Sequence, residues 1–379
     1  MSPSRRQFLR TLGITGALGA APSFIHARGL ESLAGEPWRG SAPFPQSAAI
    51  RLDSNENPVG PGPRALAAIQ AAFAGVSRYP REEPALATAL GGALGVPPGR
   101  ILFGIGSTEI LVNAVRAFTA PERPLVTAHP TFETPTSTAT LLGHPVRAVP
   151  VRGDLSIDLE AMVAQCRGAG FVFLCNPNNP TGTVHAAGAV RDFIQRVQAA
   201  SPDAVVMIDE AYHDYVADPG YATAIPLAMA DPRVLVARTF SKAYGIAGLR
   251  LGYVVGHEAT LERMARFRLN LGISGLAHAA GQALLADQGF AVREARRNTE
   301  AREWTRAEFG RIGFSVPVSH TNFVMVNIRR DTRAFRAACA DQGIRVGRPF
   351  PPLDTWSRIS IGTMEEMRRA MPLFEKVLG

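Results

Sequence analysis

Thr239-Phe240-Ser241-Lys242-Ala243-Tyr244-Gly245-Ile246-Ala247-Gly248-Leu249-Arg250 directly follows the apolar run Val234-Leu235-Val236-Ala237. Only two lysines, Lys242 and Lys376, stand among the forty basic residues of this 379-residue chain, so lysine is not a generic surface charge here. An amine at the end of a buried strand, followed by hydroxyl- and glycine-rich chain and an arginine, suits a carbonyl cofactor that carries a phosphate. An amine condenses with an aldehyde, and a guanidinium does not. A lysine in a surface loop is the plain alternative, and three further strings weigh against it.

Outward from this segment, short apolar runs alternate with amphipathic stretches, the pattern of a mostly parallel sheet between helices. The expected strands include 101–103, 125–127, 146–149, 171–174, 204–208, 234–237 and 252–255. Between them lie helical stretches at 109–118, 159–166 and 187–199. One long helical stretch, 281–312, is expected to lead into a smaller α/β unit: strand 323–328, helix 332–342, strand 358–361 and helix 365–377. Residues 28–60 are rich in proline and glycine and read as an arm. With 46% hydrophobic residues the chain can bury a large core, and its length suggests two domains. No internal repeat is visible.

The three supporting strings sit at strand ends or helix starts, where open α/β sheets place ligands. Gly104-Ile105-Gly106-Ser107-Thr108-Glu109 is a strand-to-helix turn whose amides and hydroxyls suit a phosphate. Alone it is a weak signal, because many capping turns look alike. Asn176-Pro177-Asn178-Asn179-Pro180-Thr181-Gly182 is a stiff turn able to aim an amide into a cleft. In Ile208-Asp209-Glu210-Ala211-Tyr212, an aspartate ends a buried strand and needs a partner. A protonated pyridine nitrogen is one candidate, and the capped end of a following helix is the other.

Together these strings resemble the class I and II aminotransferases, the fold-type-I enzymes that use pyridoxal 5'-phosphate, and within them the histidinol-phosphate aminotransferase branch. The likeness runs from about residue 50 to the C-terminus and takes in Asn55-Glu56-Asn57-Pro58 and Arg78-Tyr79-Pro80. It implies an α/β chain with an arm at 28–60, a large cofactor-binding domain at 61–285 and a small domain at 286–379. It implies that Lys242 holds the cofactor covalently and serves as the base, with Asp209 on the pyridine nitrogen. Asn179 and Tyr212 would bind the ring hydroxyl. Ser107, Thr108, Thr239, Ser241 and Arg250 would bind the phosphate, and Phe132 would stack on the ring, although core packing explains Phe132 equally well. Tyr79 would reach the phosphate of a neighbouring subunit in a homodimer. Arg358 would grip the carboxylate of the substrate, a task suited to its planar fork, and Asn57 and Asn179 would also touch substrate. The implied reaction moves an amino group from an amino acid or related amine to a 2-oxo acid, in ping-pong fashion.

The chain departs from that branch at two positions. Val59 stands where the branch has a tyrosine on the substrate phosphate. Gly347 stands where it has an arginine, with Arg345 and Arg348 close by. A donor other than histidinol phosphate is therefore expected, such as an aromatic or other bulky amino acid. A decarboxylase or lyase on the same scaffold is the alternative within enzymes, and a non-catalytic secreted binding protein is the alternative outside them. A nicotinamide oxidoreductase is a poor third, because Gly104-Ile105-Gly106 lacks the third glycine of the dinucleotide fingerprint.

Charge and cysteines exclude other classes. The net charge of +8 is dispersed: Arg293-Glu294-Ala295-Arg296-Arg297 and Arg302-Glu303 intersperse signs along a helix face. A nucleic-acid groove would need clustered cations and stacking aromatics. Cys166, Cys175 and Cys339 form no Cys-x-x-Cys pair and read as small buried hydrophobes rather than metal ligands or a disulfide framework. Ser4-Arg5-Arg6-Gln7-Phe8-Leu9-Arg10, followed by a weakly apolar stretch from Thr11 to Ala21, is a twin-arginine export signature with cleavage expected after Ala27. That apolar stretch is too short for stable membrane insertion. Losing residues 1–27 removes three arginines and no acid, which takes the charge from +8 to +5. The implied destination is the periplasm, by way of the twin-arginine machinery.

Overall fold

A computed structural model describes residues 49–80, 84–269, 272–287 and 289–379. The export signature and residues 28–48 of the arm lie outside the described residues.

The central sheet is built from β2 (Ile101–Ile105), β3 (Leu125–His129), β4 (Val146–Pro150), β5 (Phe171–Cys175), β6 (Val205–Asp209), β7 (Val234–Thr239) and β8 (Leu251–Val255). Their order across the sheet is β2-β8-β7-β6-β5-β3-β4. β8 is antiparallel to both of its neighbours, and the other pairs are parallel. The inner strands are apolar along their whole length because helices cover both faces. Alternation of side chains still sorts them. Val172, Leu174, Val206, Ile208, Val234 and Val236 enter one hydrophobic cluster. Phe171, Phe173, Val205, Met207, Leu235 and Ala237 enter the cluster on the opposite face. Burying side chains such as Phe171 and Phe173 stabilises the fold by about 1.5–3 kcal/mol each relative to exposure.

This two-residue period decides which groups at the strand ends reach a site. Asp209 shares the face of Val205 and Met207, and Thr239 shares that of Leu235 and Ala237. Glu210 and Arg238 point the other way and pair with each other at 2.8 Å behind the sheet. Glu210 also accepts hydrogen bonds from Thr223 Oγ1 at 2.8 Å and Ala224 N.

A second core gathers β1 (Ile50–Leu52), β9 (Phe323–Asn327), β10 (Ile344–Val346), β11 (Trp356–Ser360) and the helices Phe290–Arg311, Thr332–Asp341 and Met364–Leu378. β1 runs parallel to β10, and β11 antiparallel to β9. The described end of the arm is thus a strand of this core. The expected long helix is two helices, Gly275–Ala286 and Phe290–Arg311. Asp287 and Gly289 are weak helix formers. Asp287 caps the junction, accepting Phe290 N on its main-chain oxygen at 2.9 Å and Arg293 Nη2 on its carboxylate at 2.8 Å.

Candidate active site

The carboxyl ends of β5, β6 and β7 open onto a cavity of about 390 Å³. Because β8 is antiparallel, its start, with Arg250 just before it, lies on that same edge beside the end of β2. The cavity wall includes Ser107, Thr108, Phe132, Asn179, Asp209, Tyr212, Thr239, Ser241, Lys242, Arg250 and Arg358, eleven of the residues singled out from sequence.

One end of the cavity is a cradle of hydroxyls and amides. The helix Gly106–Phe118 begins there with Ser107 and Thr108 in its first turn. Arg250 Nη1 contacts Ser241 Oγ at 3.4 Å and Nη2 contacts Thr108 Oγ1 at 3.5 Å, both long enough to yield to a better acceptor. Thr239 Oγ1 donates to Ser241 Oγ at 2.9 Å. Two features fit this corner to little else. Gly106 has φ +69°, and a Cβ there would stand 2.3 Å from Arg250 Nη2. A Cβ on Gly252 would stand 2.3 Å from the amide nitrogen of Ser107. The close approach of the guanidinium to the helix start makes a site for a dianionic phosphate.

The same wall carries a buried carboxylate and an amine. Asp209 is 2% exposed, and among the described residues its carboxylate accepts one hydrogen bond, from Ala211 N at 3.1 Å. Burial, with the Glu210 charge adding to it, pushes its pKa up to about 7. A buried carboxylate so poorly satisfied suits a cationic partner such as a pyridinium. Lys242 Nζ donates to the main-chain oxygen of Asn55 at 3.1 Å and stands 5.7 Å from the centre of the Tyr212 ring. Burial first, then the Arg358 and Arg250 charges, bring its pKa down to about 8, against the opposing pull of Glu56 and Asp209. A phosphate cradle, a lone amine and a buried carboxylate with one hydrogen bond therefore line one cavity, and pyridoxal phosphate fits that donor set.

The second core closes the site. β11 presents Arg358 and Ser360 on one face. Arg358 is 8% exposed and donates to Asn179 Oδ1 at 2.7 Å and to Asp53 O at 2.9 Å. Since a guanidinium only donates, Asn179 must turn its oxygen towards it, which leaves the amide Nδ2 as a donor. Burial lowers the pKa of Arg358 to about 10, still charged at neutral pH.

Two expected site residues lie elsewhere. Asn57 does not line the cavity. Its Nδ2 donates to Ala243 O at 3.0 Å and its Oδ1 accepts from Val59 N at 3.1 Å, so it braces the loop next to Lys242. Tyr79 is 81% exposed and does not line the cavity of its own chain. Asn55, Glu133 and Ser360 were not singled out from sequence, and Arg348 was named only as a neighbour of Gly347. Asn55, Glu133 and Arg348 line the cavity, and Ser360 hydrogen-bonds Asn55. Asn55 carried a usable signal: asparagine tolerates φ +55°, and the Asn-Glu-Asn-Pro string offers two asparagines of which one takes that conformation.

A profile of the family "Aminotransferase class I and II" matches residues 47–372. The chain is 37% identical over 334 residues to a histidinol-phosphate aminotransferase of Symbiobacterium thermophilum, covering 87% of this chain and 91% of that protein. It is 36% identical over 325 residues to an aromatic amino acid aminotransferase of Thermobifida fusca, covering 85% and 88%. Among solved structures, histidinol-phosphate aminotransferase from Sinorhizobium meliloti in complex with pyridoxal-5'-phosphate superposes with a TM-score of 0.78 at 31% identity, over 87% of this chain and 91% of that one. With the cradle, the buried carboxylate and the lone amine arranged as above, this chain belongs to the class I and II aminotransferases.

Proposed function

We propose that the amino donor of this pyridoxal-phosphate-dependent aminotransferase is an α-amino acid with an aromatic or otherwise bulky side chain, held by its carboxylate on Arg358. The observation that carries this reading is the state of the Arg358 guanidinium. It is buried, aimed at Asn179, stacked 4.8 Å from the centre of the Phe350 ring, and its Nε has no partner among the described residues. A planar carboxylate is its natural complement.

The other cations of the wall have work of their own. Lys242 serves the aldehyde, Arg250 the cofactor phosphate, and Arg348 is ion-paired with Glu133 at the cavity rim. No donor comes from Val59, and Gly347 carries no side chain. A Cβ at Gly347 would stand 2.6 Å from the main-chain oxygen of Arg358. Among the described residues, these features leave a second phosphate, such as that of histidinol phosphate, without a dedicated cation in the cavity wall. Likeness to the Thermobifida fusca aromatic enzyme supports the choice of side chain.

When bound, pyridoxal phosphate supplies an aldehyde that captures amino groups and a ring that takes up the electron pair left at the α-carbon. The chain does the rest. Ser107, Thr108, Ser241 and Arg250 would anchor the phosphate, and Asp209 would keep the ring nitrogen protonated. Arg358 and Asn179 fix the donor's orientation. Lys242 Nζ would hold the cofactor aldehyde and, as the amine of the wall, would move the proton at the donor's α-carbon. Burial, which brings the pKa of this amine down to about 8, moves it towards the range a working base needs.

A donor panel with 2-oxoglutarate tests the reading. The best aromatic amino acid is expected to exceed histidinol phosphate in kcat/KM by about 10²-fold or more, the scale of one buried ion pair. Arg358→Gln should remove that preference, mostly through KM. Efficient turnover of histidinol phosphate by the wild type would overturn it.

We also propose that the enzyme works as an exported homodimer. Arg5-Arg6 with Phe8-Leu9 supports export. The run of exposed apolar groups Val59, Leu66, Phe73, Val76 and Tyr79 supports a partner surface that delivers Tyr79 to the neighbouring phosphate cradle. Expressed with its N-terminus intact, the protein should be recovered from the periplasm at twice the subunit mass. Replacing Arg5 and Arg6 by lysine should hold it inside the cell, and a periplasmic double variant or a monomer would refute the respective half.

A further inference from the structure

Asn55 is buried between the two cores and engaged on every polar atom. Its N–H donates to Ser360 Oγ at 2.9 Å, and Ser360 Oγ donates back to Asn55 Oδ1 at 2.7 Å. Its Nδ2 donates to the Tyr212 hydroxyl at 3.1 Å. Its main-chain oxygen accepts from Lys242 Nζ at 3.1 Å and from Asn322 Nδ2 at 2.9 Å.

Counting hydrogens orders this network. The Ser360 oxygen accepts the Asn55 N–H and gives its own single hydrogen to Oδ1. With Oδ1 on Ser360, the Asn55 Nδ2 faces the Tyr212 hydroxyl. An amide nitrogen only donates, so the Tyr212 oxygen is an acceptor there, and its hydrogen has to go elsewhere. Among the described residues no acceptor takes it, and Tyr212 lines the cavity. Burial pushes the phenol pKa up, which keeps Tyr212 a neutral donor.

We propose that Asn55, locked by Ser360, is the positioning residue that forces Tyr212 to donate its hydroxyl hydrogen to the ring oxygen of the cofactor. The proposal rests on the pyridoxal-phosphate reading and goes beyond it, because it assigns the direction of a hydrogen bond to a residue that need not touch the cofactor. β11 then governs both groups expected at the ring oxygen: Arg358 turns the Asn179 amide nitrogen free, and Ser360, through Asn55, turns the Tyr212 hydrogen free.

The consequence is measurable. Loss of the proton shared near the ring oxygen leaves that oxygen with its full negative charge, and a hydrogen bond from Tyr212 stabilises that form. The visible band of the bound cofactor follows this proton, so the band titrates at a lower pH with the donor than without it. Asn55→Asp replaces the amide nitrogen with an acceptor of nearly the same shape. It should draw the Tyr212 hydrogen back and raise the titration midpoint by about one pH unit or more. Ser360→Ala frees the Asn55 amide to turn over and should raise the midpoint by a smaller amount.

The test is an absorbance titration of the loaded wild type, Asn55→Asp, Ser360→Ala, Tyr212→Phe and the Asn55→Asp/Tyr212→Phe double variant, each with a melting curve. In the Tyr212→Phe background Asn55→Asp should add little. A role confined to folding would lower melting temperatures and leave the midpoints alone. Should Asn55→Asp fail to fold, Ser360→Ala decides the matter by itself. Unchanged midpoints overturn the proposal, as does an Asn55→Asp shift that is the same with and without the Tyr212 hydroxyl. A wild type without a visible band would instead reject the cofactor reading on which the proposal stands.

Discussion

Lys242→Ala is expected to abolish the visible absorbance of the bound cofactor and to lower turnover by about 10⁴-fold or more, since both the covalent hold and the general base are lost together. No neighbour can substitute. Arg250 and Arg358 line the same cavity, but a guanidinium neither condenses with the aldehyde nor gives up its proton near neutral pH. The other lysine, Lys376, lies on the C-terminal helix with its amine on Gln342 Oε1 at 2.9 Å, outside the cavity wall. Lys242→Arg should therefore be as inactive as the alanine variant. The protein should still fold, because burial of the ammonium disfavours the charged native form at neutral pH, as the lowered pKa shows. An absorbance spectrum and a single-turnover assay on the purified variant check this, and a persistent visible band with activity would remove the assignment of Lys242.

The sheet and the helices expected at 109–118, 159–166 and 187–199 were legible because their physical signal is local. Strands 171–174 and 234–237 are unbroken apolar runs, and the structure extends them only to Cys175 and Thr239. The junction at Asp287 and Gly289 escaped a reading that weighed hydrophobic periodicity over helix propensity. β1 and β10 were missed because each has three residues, and their pairing of Ile50 with Ile344 depends on contact across nearly the whole chain. The same limit applied at the site. Lys242, Asp209 and Asn179 sit in strings whose chemistry is visible residue by residue. Asn55 matters through Ser360 and Tyr212, which lie 305 and 157 positions away, and no local spacing reveals that meeting. Choosing between Asn55 and Asn57 required the backbone turn at φ +55°, which only the folded chain supplies.

Asp209→Asn should separate the cost of a buried carboxylate from its use. In the cofactor-free protein the folded-state pKa of Asp209 is raised from 3.8 to about 7. Between these values the native state holds a proton that the unfolded state has released, so stability falls as pH rises through this window. Below about pH 4 both states are protonated and the penalty disappears. Lys242 acts in a different window: its native pKa of about 8 lies below the unfolded value of 10.5, so its contribution makes stability rise between those limits. The asparagine variant should therefore match cofactor-free wild type near pH 4, exceed it in melting temperature at pH 7, and show a flatter profile between. A cationic ring nitrogen reverses the balance by supplying the missing partner charge. In the loaded proteins the variant should therefore lose its advantage at pH 7, and it should bind cofactor without holding the ring nitrogen protonated. Turnover of Asp209→Asn should drop by about 10²- to 10³-fold, the scale of breaking one buried charge pair, with the phosphate cradle intact. Superimposable cofactor-free melting profiles for wild type and variant would mean that Asp209 is already neutralised inside the protein, and the electron-sink role assigned to it would fall with that result.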